Sequence, residues 1–185
     1  MIGLAVGRTG PLRMVSVVVY SLALLAMLTA SAAYNLFYQT RWRRLFRLWD
    51  HSAIFVMIAG TFTPFATALS SAIWTLGFGT TVWSMTIGGI ALKVTRPALF
   101  ERFGIGLYLA QGWLGILLFG PLAAHFTAVT LIALIAGGIL YTVGIIFHLW
   151  EALPFHNAIW HVFVLAAAVC HYLAVLDGIV LTPVA

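Results

Sequence analysis

Acid is what this chain has least of. Of its 185 residues only Asp50, Glu101, Glu151 and Asp177 are acidic, and all charged types together make up 7%. A soluble domain carries about 25% charged residues, so this composition cannot cover a water-facing surface. Cysteine is nearly absent too. The single Cys170 excludes an intramolecular disulfide, and within an apolar run it reads as a small packing residue. No linker, low-complexity tract or soluble domain is visible.

Hydrocarbon fills the space that charge leaves. The chain is 63% hydrophobic with a mean hydropathy of +1.10. A hydrocarbon layer of about 30 Å takes about 20 apolar residues per helix, and runs of that length recur from end to end. The fold class is therefore all-α, a polytopic transmembrane helix bundle forming one domain over 1–185. A sequence pI near 9.9 could suggest nucleic acid. The nine Lys and Arg, however, sit in short clusters between apolar runs, which is how membrane topology is encoded. Nucleic acid is excluded as a partner, and membrane lipids are expected.

Breaks at charge, Pro and Gly mark six spans, at about 14–38, 53–72, 74–94, 103–124, 126–148 and 156–180. Six crossings put "RWRRLFRLWD", "KVTRPALFER" and the 149–155 loop on one side, with Arg41, Arg43, Arg44, Arg47, Lys93, Arg96 and Arg102. Arg8 and Arg13 remain for the other side. The positive-inside rule makes the richer side cytoplasmic, with both termini outside. The two N-terminal arginines, an apolar run and "TASAA" also resemble a signal peptide. The run of about 20 residues exceeds the usual 7–15 of such a segment, so a first transmembrane helix is the preferred reading. Glycines in "RFGIGLYLAQGWLG" and "IAGGILYTVG" point to close helix packing.

Polar residues gather at one depth. Ser31 and Asn35 end the first span, Asp50 precedes the second, and Asn157 and His161 open the last. Ser31/Asn35 and Asn157/His161 are both i, i+4 pairs, so each pair shares a helical face. The orientation was fixed by Lys and Arg alone, yet it brings all five together. Simpler roles exist for each: Ser31 as helix packing, Asp50 as a helix N-cap, the two Asn as interhelical bonds. His51, His125 and His148 read as interfacial. His171 lies about 15 Å deeper than His161 and suits a buried hydrogen bond. His156 and His161 are separated by about 140° of helical turn, so one metal cannot use both from a regular helix. The position that would fit, four before His161, is Asn157.

"SAAYN", "DHSAIFVMIAGTFTPF", "LYLAQGW", "GGILYTVGIIF" and "IWHVFVLAAAVCHYLAV" together resemble the hemolysin III proteins, the bacterial branch of the progestin and adipoQ receptor (PAQR) family. The resemblance spans about residues 30 to 175. It implies a seven-helix bundle with zinc near the cytoplasmic face, held by one histidine four residues after a serine and by an H-x-x-x-H pair in the last helix. A nearby aspartate completes the set, as in the related alkaline ceramidases. By that resemblance Ser31 matches the serine, Asp50 the aspartate and His161 the last histidine. Asn35 and Asn157 stand at the other two ligand positions. "MIGLAVGRTGPLRM" is too short to span, so the six spans correspond to the family's helices two to seven, with a truncated or misassigned start as the alternative.

Amide oxygen is a poor zinc ligand and suits harder cations. The expectation is a hemolysin III-type protein of the bacterial inner membrane with a degenerate zinc site and no cofactor. Its role would be non-catalytic, in membrane or lipid homeostasis or lipid sensing. The alternative is a zinc-dependent lipid hydrolase of ceramidase type, with Ser31 and Asp50 catalytic and His161 on the metal. The family name implies cytolysis, which the residues themselves do not require.

Overall fold

A computed structural model describes residues 1–6, 10–37, 39–69 and 71–181. Arg8, used above in the reading of topology, lies outside them. Within the described residues the chain is helical, with no strand. The single turn α1 (Ile2–Ala5) is followed by α2 (Pro11–Leu36) and α3 (Arg43–Ala68). Next, α4 joins a π-helical Ile73–Phe78 to a regular Gly79–Thr95. The rod α5 (Pro97–His125) passes through a 3-10 segment at Leu114–Leu118. α6 is Ala128–Leu149 and α7 is His156–Leu181, the latter closing in a π-helical turn from Leu176.

Local chemistry sets the helix ends. Proline occupies the first position of both α2 and α5, where its missing N–H is no loss and its φ is already helical. Thr127 caps α6 by accepting the Thr130 amide. Phe155, in the tight turn before α7, holds φ at 62°.

Five helices are long and apolar enough to cross a membrane: α2, α3, α5, α6 and α7. The regular part of α4 has only 17 residues, about 26 Å at 1.5 Å per residue. Its contacts nevertheless extend along the whole of α3. At one end Thr75 donates to the Ala66 carbonyl at 3.1 Å. At the other, Lys93 binds Glu101 at 2.6 Å, and Glu101 binds Arg47 at 2.8 Å. Those bonds set α4 antiparallel to α3 from one end to the other.

α3 is the hub, packed against α2, α4, α5 and α7. Small residues permit the approach. A Cβ on Gly60 would lie 2.5 Å from that of Ala23 on α2, and one on Gly89 of α4 would enter the Phe55 ring. Gly137 and Gly144 do the same for α6, against His171 and Phe163 of α7. The packing expected of glycine thus holds for "IAGGILYTVG". In "RFGIGLYLAQGWLG" only Gly115 meets another helix, at Phe62, while Gly106 and Gly112 face open space.

α3 begins ten residues before the expected span. Its arginines broke the hydropathy reading without breaking the helix. Arginine keeps its guanidinium in water while its stem stays against the helix, and 26 residues extend about 39 Å, through the headgroup layer as well as the hydrocarbon.

Two outcomes are expected. Reporter fusions within 94–102 read as cytoplasmic and fusions at 126–127 as external; the reverse result would contradict the orientation. Gly60→Val forces α2 and α3 apart and destabilises the bundle by about 1–3 kcal/mol, read as a lower midpoint of unfolding in detergent. An unchanged midpoint would contradict the packing assigned to this seam.

Candidate functional site

The arginine-rich end collects the polar residues singled out above. Ser31 is half-buried near the end of α2, and its hydroxyl side chain lies beside Asp50 of α3. One turn on, Asn35 Nδ2 donates to the Ser31 carbonyl at 2.8 Å and lies 3.5 Å from His161 Nε2 on α7. That second distance is at the outer limit of a hydrogen bond. With the amide donating, Nε2 accepts and the ring proton sits on Nδ1. One end of α2 thus lies against Asp50 of α3 through Ser31 and meets α7 through Asn35.

Two sequence expectations need correction. Asp50 is not an N-cap: α3 starts at Arg43, its cap residue is Trp42, and Asp50 lies two turns inside. Asn157 does not join the cluster. It is exposed in the first turn of α7, one turn before His161 on the same face, and its side chain makes no hydrogen bond among the described residues. An amide at the headgroup level can be solvated, so nothing compels it inward.

The other histidines divide. His125 is exposed and its Nδ1 meets the Pro121 carbonyl at 2.8 Å, while exposed His148 packs its ring 5.3 Å from that of Trp160. His51 is not interfacial in the same sense. It is half-buried, and its Nδ1 is enclosed without a partner. Its backbone carbonyl accepts from Tyr108 at 2.7 Å. His171 packs against Gly137 of α6, beside the Tyr141 ring.

Three polar groupings escaped the sequence reading. Lys93, only 8% exposed, lies between Glu101 and the Phe100 ring, 4.4 Å from the ring centroid. Gln111 in "LYLAQGW" is fully buried, and its amide donates to Thr86 Oγ1 at 2.8 Å and the Val82 carbonyl at 3.2 Å. Asp177 accepts from Thr127 at 2.7 Å and Thr130 at 2.6 Å at the opposite end of the bundle. The scarcity of acid was the available signal: two of the four acidic residues serve as helix-to-helix acceptors.

The donor set does not fit zinc. Zinc takes imidazole, thiolate or carboxylate, three or four at once. Here an amide nitrogen faces His161. No group of three or more His, Cys, Asp or Glu suited to a metal occurs among the described residues.

A multi-pass helical membrane protein with Ser–Asp and Asn–His pairs at its arginine-rich end is the class these features define. The family model for haemolysin-III related proteins matches residues 2–172, and the chain belongs to that family. It is 37% identical over 171 residues to the Hemolysin-3 homolog of Bacillus subtilis, covering 91% of this chain and 79% of that protein. To Hemolysin-3 of Bacillus cereus it is 38% identical over 164 residues, 88% of this chain and 74% of the other. The human Monocyte to macrophage differentiation factor is 25% identical over 170 residues, 85% and 67% of the two chains. No solved structure matches.

The α2–α7 contact is tested by a double-mutant cycle of Asn35→Ala and His161→Ala in detergent unfolding. Interhelical hydrogen bonds in membranes average about 0.6 kcal/mol, and a coupling of that order is expected. Strict additivity would mean that the two side chains do not meet.

Proposed function

We propose that this haemolysin III-type membrane protein is non-catalytic and acts in membrane or lipid homeostasis, as a lipid-responsive module. The observation that carries the reading is the 3.5 Å approach of the Asn35 amide to His161 Nε2. With Nε2 as the acceptor, the lone pair that would serve a cation meets an amide donor, and the amide stands at a ligand position of the resembled zinc site. With no strong third donor, a metal-activated water has nothing to hold it. The Ser31–Asp50 pair is the one feature that favours the competing reading, hydrolysis of a lipid amide or ester.

Restoring imidazoles separates the two readings. The purified chain, supplied with zinc, should hydrolyse neither ceramide-type amides nor lipid esters above the level of empty detergent micelles. Asn35→His combined with Asn157→His should gain measurable zinc, while either change alone gains much less, because a third ligand contributes heavily to a pre-organised site. Hydrolysis by the unaltered chain would overturn the proposal. A folded double variant that binds no more zinc than the parent would overturn the assignment of ligand positions.

A further inference from the structure

The turn before α3 and the first turns of that helix enclose an open hollow of about 510 Å³ lined by Thr40, Arg41, Arg43, Arg44 and Arg47. Four arginines and one threonine form its wall. Both ion pairs among the described residues go to Glu101, and of these four arginines only Arg47 takes part. Arg41 stacks on Trp42, 5.0 Å from the ring centroid. No carboxylate among the described residues pairs with Arg41, Arg43 or Arg44.

The placement is electrostatically adverse as it stands. These cations crowd the N-terminal end of α3, where the helix dipole is positive, and its first turn has no acidic residue. Setting the orientation of the chain requires positive charge near the span ends; it does not require four arginines to converge on one hollow. An anion placed among them would neutralise the repulsion and meet the planar, forked donors that arginine offers to phosphate.

The surroundings identify the kind of anion. Trp42 and Trp49 are about half exposed beside the cavity, and Leu36, Phe37 and Leu45 are exposed as well. Tryptophan at the end of a membrane helix sits at headgroup depth. A phosphate there would belong to a molecule whose acyl chains run down the exposed apolar faces of α2 and α3. We infer that the arginine cavity at the α2–α3 junction binds the phosphate headgroup of an anionic phospholipid. The site is separate from the α2–α7 polar pair, and its test does not depend on zinc or hydrolysis.

The experiment is native mass spectrometry of the full chain in detergent, titrated with phosphatidylglycerol or phosphatidylcholine. The wild type should retain phosphatidylglycerol in preference to phosphatidylcholine. Arg43→Gln with Arg44→Gln should weaken that retention roughly thirtyfold, the loss expected for two basic residues at a membrane surface. A charge-matched control, Arg96→Gln with Arg102→Gln, alters the same side of the membrane away from the cavity and should retain the lipid as the wild type does. Arg43→Lys with Arg44→Lys keeps the charge, guards against a folding defect in the first pair, and should show a partial loss through the missing fork. Equal retention by the Gln pair and the wild type, or equal loss in the control pair, would overturn the site. Displacement of bound lipid by millimolar inorganic phosphate, with phosphate stabilising the chain as well as phosphatidylglycerol does, would overturn the lipid in favour of a soluble anion.

Discussion

Hydrocarbon supplies no hydrogen-bond partner, so polar side chains carried into this bundle have to find one another. The register of the helices follows from where they do. Glu101 takes both Arg47 and Lys93, fixing the starts of α3 and α5 to the end of α4. In mid-bundle the Gln111 amide reaches the Val82 carbonyl and the Thr86 hydroxyl, joining α5 to α4. Asp177 receives Thr127 and Thr130 at the far end and joins α7 to α6. Glycine seams bring the helices close, but apolar faces can slide. Directional bonds at both ends and in the middle leave one alignment.

That alignment is what creates the α2–α7 junction. Ser31 and Asn35 lie one turn apart on α2, and the helix delivers the first to Asp50 on α3 and the second to His161 on α7. The contact between amide and imidazole is long and contributes only modest cohesion. Its chemical consequence is larger, because it places a hydrogen-bond donor where a cation would need a second acceptor.

Much of this was legible in the sequence, in uneven ways. The apolar runs and the i, i+4 spacings of Ser31/Asn35 and Asn157/His161 follow from helix geometry, and with the one-sided arginines they put Asn35 and His161 at the same end of the bundle, where they meet. What failed has local physical reasons. Arginine breaks a hydropathy profile but not a helix, so α3 started late in the sequence reading and Asp50 looked like a cap. Lys93 and Glu101 lie eight residues apart across a chain reversal, a pairing that no helical periodicity marks. Asn157 has the right spacing for the cluster yet lies exposed at the helix start without a hydrogen bond among the described residues, because spacing fixes a helical face and not a partner.

We propose that His161 faces an amide in place of a metal. Metal analysis of the unaltered chain tests it most directly, after purification in zinc-containing buffer and removal of loosely bound ions. The account predicts zinc far below one per chain, unchanged by His161→Ala. Near one zinc per chain, lost in His161→Ala, would contradict it.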